Sequence, residues 1–322
     1  MIRYLTRSLL LFQLLAGALT ALALQWAGWT SSVWMAAGLG VVLVIMVRAL
    51  ITANNFRLVR RFPDRLDPAA TLPASAWLRL YLREFCATMV SSSWSMPFRQ
   101  LGARPMILSA GLPVFLVHGY GCNSGYWRAL HRRLVRDRIS HHAVNLEPLL
   151  ADIDSYVPQV AAAIDALSQA AGHERVIVVA HSMGGLVMRA YQRVHGCDRI
   201  ARLITLGTPH RGTGLAQFGI GINARQMRWA DGGIEGEANP WLARLSTVES
   251  EYGCSHLVSI YSRHDNIVAP QESAQVTGAK NIAFQAIGHV MLGSDPQVLD
   301  CVMQEIDAAR SQAISTQSNP SC

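Results

Sequence analysis

The sequence predicts an α/β fold: a mainly parallel β-sheet with helices on both faces, preceded by an N-terminal transmembrane helical hairpin. From Leu112 onward, short apolar strand patterns alternate with helical patterns, which is typical of a parallel sheet covered on both sides. Between Arg7 and Arg48 there is no charged residue, as in membrane-spanning helices. The 322 residues suffice for one domain of about 200–250 residues with extra segments.

The composition favours contact with a membrane over contact with nucleic acid. The mean hydropathy of +0.21 and the 51% of hydrophobic residues are high for a soluble protein. The net charge of +7 comes from 28 basic residues, all of them arginine except Lys280. These arginines are scattered, so an anionic bilayer surface is the simpler partner and no nucleic acid is expected. The six cysteines form no CxxC motif or cysteine–histidine cluster, so zinc is not expected and no metal ligand is assigned.

We assign residues 1–50 to the transmembrane hairpin. Two apolar runs, Ser8–Trp26 and Val33–Val47, are separated by a short turn, and the first is long enough to cross a hydrocarbon core of ~30 Å. Three tryptophans bracket the turn, as expected at the level of the lipid headgroups: Trp26, Trp29 and Trp34. The alternative is a cleaved signal peptide, with a cleavage site at Ala21–Ala23.

The arginines predict the orientation of this hairpin. They flank both of its ends and are absent from the turn, which places both ends on the cytoplasmic side. We therefore expect the protein at the inner (cytoplasmic) membrane, with the bulk of the chain on the cytoplasmic side.

Four further segments follow the hairpin. Residues 51–110 are expected to form a juxtamembrane connector, 111–310 the α/β domain, 211–246 a cap inserted in that domain, and 311–322 a disordered tail. The connector contains one plausible amphipathic helix, which packs on its own domain or lies on the bilayer. Its apolar face comprises Trp77, Leu78, Tyr81, Leu82 and Phe85.

The sequence of the α/β domain predicts six strands separated by helices. The predicted strands are Val114–His118, Ala143–Leu146, Arg175–Ala180, Leu203–Gly207, His256–Tyr261 and Ile282–Ile287. The predicted helices are Asn123–Val135, Tyr156–Ala171, a helix directly after Ser182, and Pro296–Ala309.

The third strand ends at a serine with small neighbours. Ser182 is predicted at a strand-to-helix corner that exposes its hydroxyl above the sheet, as a nucleophile requires. Ala180 and Gly184 stand two residues before and after it, where a larger side chain would clash in so tight a turn. The alternative is a serine that caps the next helix.

The order of the remaining residues supplies the other candidates. His289 follows the last strand and is the histidine that fits a base arriving after the nucleophile and the acid. Asp265 follows the fifth strand at the carboxyl edge of the sheet, where ligands bind. Asp198 precedes its strand and Asp231 falls in the cap, so both are weaker candidates for the acid.

The glycine-containing loop after the first strand, His118–Asn123, is suited to donating backbone N–H groups to an oxyanion. The expected donors are the N–H groups of Met183 and Tyr120, with Gly121 as the alternative to Tyr120. Three further histidines are interpreted as residues that orient loops through hydrogen bonds: His118, His181 and His210.

These motifs together resemble the lipase and esterase branch of the α/β-hydrolase superfamily. The elbow Ala180–Gly185 is similar to that of small bacterial lipases, and Thr205–Thr213 is similar to a segment of bacterial triacylglycerol lipases. The resemblance covers roughly Leu112–Ala309. It implies an α/β-hydrolase fold and ester hydrolysis through an acyl-enzyme, with Ser182 as nucleophile, His289 as base and Asp265 as its orienting acid. The reaction implied by the resemblance requires no cofactor.

Three functional hypotheses follow. The first is a membrane-anchored lipase or carboxylesterase that takes lipid or ester substrates from the adjacent bilayer, motivated by the hairpin and by the apolar cap segment Leu215–Ile222. The second is an acyl thioesterase or acyltransferase with the same three residues, because an acyl-enzyme can pass its acyl group to several acceptors. The third is an inactive hydrolase fold that serves as a membrane scaffold.

Overall fold

A six-stranded parallel β-sheet forms the centre of the molecule. The computed structural model describes residues 1–64, 71–229 and 239–318. The strand order is β2-β1-β3-β4-β5-β6, and every neighbouring pair is parallel. The strands are β1 (Val114–Val117), β2 (His141–Val144), β3 (Val176–His181), β4 (Ile200–Leu206), β5 (Leu257–Ser262) and β6 (Lys280–Phe284). The prediction of a mainly parallel sheet is confirmed.

Helices cover both faces of this sheet, and alternate strand residues point to opposite sides. On β3, Val176 and Val178 belong to one buried core, whereas Ile177 and Val179 belong to the other. The first core is completed by α6 (Val157–Ala171) and α7 (Met183–His195), together with α9 (Pro240–Tyr252). The second is completed by α5 (Arg128–Arg136) and α10 (Pro296–Ser318). Burial on both faces explains why β3 is a continuous apolar run.

Two long helices precede the domain and pack as a hairpin. These are α1 (Ile2–Trp26) and α2 (Val33–Val59), and by length and composition both are able to cross a membrane. They cross where Gly17 meets Gly40: a β-carbon at Gly40 would lie 2.3 Å from the Gly17 carbonyl oxygen. The three tryptophans near the turn are exposed. The second helix is longer than its apolar run predicted, because it continues through Arg48 to Val59.

The connector contains α3 (Ala74–Val90), a π-helical turn (Ser91–Ser95) and α4 (Met96–Phe98). Trp77 makes an edge contact with the Phe56 ring of α2, and the Tyr81 hydroxyl donates to the Ala49 carbonyl at 2.9 Å. Leu78 and Leu82 are exposed. The apolar face predicted for this helix is therefore divided: Trp77 and Tyr81 contact the hairpin, whereas the two leucines are exposed.

Two expectations for the rest of the chain have mixed outcomes. The cap 211–246 contains a 3-10 helix (Gly214–Phe218), α8 (Ile222–Gln226) and the start of α9, while its residues 230–238, which include Asp231, lie outside the described residues. The expectation of a disordered tail over 311–322 is wrong for residues 311–318, because α10 continues to Ser318. Gln312 there accepts a hydrogen bond from Arg202 at 2.9 Å. Residues 319–322 lie outside the described residues.

Candidate active site

Ser182 lies at the corner between β3 and α7, as the sequence predicted. Its backbone has φ +53° and ψ −126°, a conformation that costs energy for a residue with a side chain. Three contacts hold the corner: its N–H donates to the Leu206 carbonyl at 2.9 Å, and its carbonyl accepts from the Thr208 hydroxyl at 2.9 Å and from the Gly185 N–H at 3.0 Å. The strain is therefore maintained by the neighbouring strand end and by the start of the helix.

The small residues on either side of Ser182 are required by close backbone approach. A β-carbon at Gly184 would lie 2.5 Å from the Val117 carbonyl oxygen and 2.7 Å from that of His118. Ala180 is completely buried between neighbouring strands. The first turn of α7 thus lies directly on the end of β1, which brings the loop after β1 next to the serine.

His289 and Asp265 meet at the carboxyl edge of the same sheet. His289 Nδ1 donates to Asp265 Oδ2 at 2.8 Å, and both side chains are buried. The other carboxylate oxygen, Oδ1, accepts from the N–H groups of Ile267 and Val268, each at 2.8 Å. The hydrogen bond at Nδ1 fixes the imidazole tautomer that leaves Nε2 able to accept a proton. Asp198 precedes β4 at the opposite edge, so it is remote from this pair.

The surroundings adjust the proton affinity of His289. Burial lowers its pKa, but the charge of Asp265, the hydrogen bond to Asp265 and the charge of Glu84 together outweigh burial and raise the pKa above its ordinary value. A base with a raised pKa holds a transferred proton more firmly.

The serine corner and the histidine loop are in contact. His181, the residue before Ser182, donates from Nε2 to the His289 carbonyl at 3.2 Å. The two imidazole rings lie 4.6 Å apart between centroids. Ser182, Asp265 and His289 therefore lie at one edge of the sheet, with the acid and the base directly hydrogen-bonded.

The loop after β1 approaches Ser182 closely. A β-carbon at Gly119 would lie 2.8 Å from Ser182 Cβ, so the backbone that leads into Tyr120 borders the serine. Met183 is the first residue of α7, where N–H groups have no partner within the helix. The Tyr120 hydroxyl donates to the Ile220 carbonyl at 2.8 Å and accepts from the Ile220 N–H at 3.2 Å, which ties this loop to the cap.

Comparison with known proteins agrees with this architecture. A family model described as "alpha/beta hydrolase fold" matches residues 113–258. This match and the parallel sheet identify the fold of the domain as that of the α/β hydrolases. The matched range contains Tyr120, Ser182 and Met183 but ends before Asp265 and His289, whose pairing rests on the geometry alone.

The curated relatives that this chain matches include lipases. Triacylglycerol lipases of Pseudarthrobacter phenanthrenivorans and Burkholderia plantarii are each 31% identical to this chain in an alignment of 121 residues, which covers 33% of the chain. These regions are 35% and 32% of the two relatives, so the chain spans about a third of the length of the curated relatives it matches. The mature lipase BlEst2 of Bacillus licheniformis is 19% identical, with a TM-score of 0.47, over 61% of this chain and 91% of that protein.

Three further buried histidines of the α/β domain hold loops through hydrogen bonds, as the sequence predicted: His118, His181 and His210. His118 Nδ1 donates to the Gly119 carbonyl at 2.9 Å, and its Nε2 accepts from the Leu146 N–H at 3.0 Å. Burial lowers the pKa of His118 to about 4, so the ring is neutral. His210 Nε2 pairs with the Thr205 hydroxyl at 3.1 Å. Burial also lowers the pKa of His181 and of His210 well below the ordinary value.

One residue beside the site was missed by sequence reasoning. Glu84 of α3 is 1% exposed, and its two oxygens accept from the N–H groups of Val290 and Met291, each at 3.0 Å. The connector was expected to link the hairpin to the domain and was assigned no site residue. The available signal was a carboxylate three residues after Tyr81, on the aromatic side of an amphipathic helix, where water does not solvate it.

A metal site is not identified in the described part of the chain. Among those residues, no three His, Cys, Asp or Glu side chains form a group that could hold a metal ion.

Proposed function

We propose that this protein is a membrane-anchored serine hydrolase, a lipase or carboxylesterase that cleaves the ester bonds of lipids through an acyl-enzyme. The observation that carries the proposal is the 2.8 Å hydrogen bond between His289 and Asp265 at the sheet edge where Ser182 holds its strained corner. The 31% identity to triacylglycerol lipases over 121 residues supports an ester as the substrate.

In this mechanism Ser182 Oγ attacks the ester carbonyl while His289 Nε2 takes the hydroxyl proton. Asp265 holds the imidazole in place and offsets its positive charge. The imidazolium then gives its proton to the leaving alcohol, which departs and leaves an acyl-serine. Water, deprotonated by His289, attacks that ester and releases the fatty acid and the free serine.

Two backbone N–H groups, those of Met183 and Tyr120, would donate to the oxyanion of each tetrahedral intermediate. Their contribution follows from their fixed positions: donors that need not reorganise stabilise developing charge well in a site that excludes water. Loss of one such donor costs about 3–4 kcal/mol of transition-state stabilisation in comparable sites.

Apolar surface near the site supports a lipid substrate. Phe218, Ile220 and Ile222 of the cap are exposed, and the cap is tied to the oxyanion loop through Tyr120. Phe62, just after α2, lies against Gly214 at the start of the 3-10 helix, where its ring fills the space that a β-carbon would take. The cap thus lies beside the end of the proposed anchor. An ester drawn from the adjacent leaflet would reach Ser182 past these side chains.

The test is a fluorophosphonate probe together with Ser182→Ala, in the full chain in detergent micelles. We expect the probe to label the wild type and not the variant, and p-nitrophenyl ester hydrolysis to be lost with it. Ser168→Ala, at a buried serine of α6 away from the site, is the matched control and should retain both. Equal labelling of the wild type and Ser182→Ala would contradict the proposal.

Substrate panels distinguish the remaining hypotheses. Faster turnover of acyl-CoA than of p-nitrophenyl esters of matched chain length would favour thioester hydrolysis or acyl transfer by the same residues. The absence of turnover across a broad ester panel would favour the scaffold.

A further inference from the structure

The loop that carries His289 is held from outside the hydrolase domain. His289 directly precedes a 3-10 helix, Val290–Gly293, and the first two N–H groups of that helix donate to the Glu84 carboxylate. A carboxylate that accepts from N–H groups at a helix start receives two charge-assisted hydrogen bonds. Both oxygens of Glu84 are engaged in this way.

The packing around Glu84 is specific to this contact. A β-carbon at Gly288 would lie 2.3 Å from Glu84 Oε2, so the loop approaches the carboxylate as closely as its backbone permits. Arg83, which directly precedes Glu84 on α3, makes a second contact with this segment. It forms an ion pair at 2.6 Å with Asp295, just beyond the 3-10 helix. Two consecutive residues of α3 therefore hold both ends of this short segment.

The same loop is held on its other side by the loop that carries the acid. The His289 N–H donates to Asn266 Oδ1 at 2.9 Å, and Asn266 follows Asp265. The backbone at His289 is thus fixed between Asn266 on one side and Glu84 on the other. Loss of either contact would let the imidazole move relative to Ser182.

We propose that Glu84 is a positioning residue for His289, and that the connector helix α3 thereby completes the active site of the hydrolase domain. This inference rests on the proposed function. Glu84 acts through the backbone of Val290 and Met291 and does not touch the substrate. The connector is on this view a functional part of the enzyme as well as a link to the anchor.

The charge of Glu84 acts on His289 in addition to the hydrogen bonds that hold the loop. Five titratable or charged groups lie around Glu84. His289 and Asp265 face it from two loops, and Tyr126 faces it from the region after β1. Arg83 and Asp295 form an ion pair nearby, just beyond the 3-10 helix. Burial raises the pKa of Glu84 to about 7, against the two backbone hydrogen bonds and the charge of His289, which lower it. When ionised, Glu84 contributes to the raised pKa of His289.

The experiment compares Glu84→Gln with the wild type, as full chains in detergent micelles. Glutamine has the same shape but presents one acceptor oxygen and one NH₂ group, so it satisfies only one of the two N–H donors. We expect kcat to fall on the order of 10–100-fold with little change in KM, as for a misplaced base. The acid limb of the kcat/KM profile should move to lower pH, because a negative charge near His289 is removed.

Two further variants separate the effect of the Glu84 charge from the effect of its two hydrogen bonds and from a general loss of folded protein. Glu84→Asp keeps the charge but is one methylene too short to reach both N–H groups, so it should lower kcat while moving the acid limb less. Glu305→Gln is the matched control: it alters a buried carboxylate that pairs with Arg202 and Lys280, remote from the His289 loop. It should leave kcat and the limb unchanged.

An unchanged kcat and an unmoved acid limb in Glu84→Gln would overturn the inference. So would equal effects of Glu84→Gln and Glu305→Gln, which would indicate a general loss of folded protein. The titration of the His289 imidazole, followed by NMR and assigned by difference against His289→Gln, requires no turnover. A His289 pKa lowered in Glu84→Gln supports the inference, and an unaltered one contradicts it, even if the proposed ester hydrolysis fails in the wild type.

Discussion

Ser182 is held in a backbone conformation that the chain maintains through its neighbours. Its N–H and carbonyl are bonded to Leu206, Thr208 and Gly185, so the cost of positive φ is offset by contacts on both sides of the corner. His289 is fixed in a comparable way by Asp265 at the ring and by Asn266 at the backbone. Because both residues are held in place, their reactive atoms need no conformational change before they can react.

The raised pKa of His289 predicts the pH dependence of catalysis. Only the neutral imidazole can accept the serine proton, so kcat/KM should fall as the pH drops through the pKa of His289, above the usual value of about 6.5. A profile of kcat/KM from pH 5 to 9 on a p-nitrophenyl ester measures this midpoint. A midpoint well below pH 6 would contradict the assignment of His289 as the base.

Asp265→Asn should lower kcat by roughly 10³–10⁴-fold with little loss of folded protein. The asparagine oxygen can still accept from Ile267 and Val268, whereas its NH₂ group facing Nδ1 favours the tautomer with the proton on Nε2. That tautomer cannot take the serine proton. Asp165→Asn, at an exposed residue that pairs with Arg199, is the control and should retain activity. Retained activity in Asp265→Asn would indicate a different acid.

Residues were predictable where their order in the chain carries the information. Ser182 follows from its small neighbours, and His289 and Asp265 follow from strand ends that must meet at one edge of a parallel sheet. Glu84 was not predictable in this way, because α3 lies before the first strand and no motif spacing links it to His289. Its contact depends on how the connector docks, which is a tertiary effect.

At the scale of elements, the sequence located all six strands but misplaced some boundaries. β2 spans His141–Val144, so it begins two residues before the predicted start at Ala143. His141 is buried and satisfied: its Nδ1 donates to the Ile139 carbonyl at 2.7 Å, and its Nε2 pairs with His131 at 2.8 Å. A polar residue with partners can thus belong to a buried strand. Similarly, α2 continues past Arg48, whose guanidinium donates to the Ser93 hydroxyl at 2.8 Å.

The helical hairpin should be sensitive to side-chain size at its crossing point. Gly40→Leu would force α1 and α2 apart, and overpacking of this kind typically costs about 1–3 kcal/mol. Gly38→Leu, two residues away where a β-carbon would meet no atom within 4 Å, is the matched control. Titration of the micellar protein with SDS should show earlier loss of structure for Gly40→Leu alone. Equal midpoints for the two variants would show that the crossing is not tight.

At the scale of the whole molecule, both ends of the hairpin lie against the same part of the protein. Arg7 of α1 donates to the Pro97 carbonyl at 3.0 Å, and Arg48 of α2 bonds to Ser93 of the π-helical turn. The turn with its exposed tryptophans is at the other end of these helices. This arrangement suits a protein whose α/β domain and both hairpin ends share one side of a bilayer.

Reporter fusions test that topology. We expect a fluorescent reporter after Arg61 to report the cytoplasm and an alkaline phosphatase fused at Thr30 to be active outside it, because the flanking arginines hold both ends inside. Amino-terminal sequencing of the purified protein supplies the second check. A mature chain that starts after Ala23 would show that the first helix is a cleaved signal peptide and not part of an anchor.

The exposed side chains of the cap bear on how this protein can be handled. Phe218, Ile220 and Ile222 lie within five positions of one another on a part of the chain separate from the hairpin. Proteolytic removal of the proposed anchor would leave these three apolar side chains exposed to water, where they would promote self-association. Purification and storage should therefore call for an amphiphile even after the two long helices have been cut away.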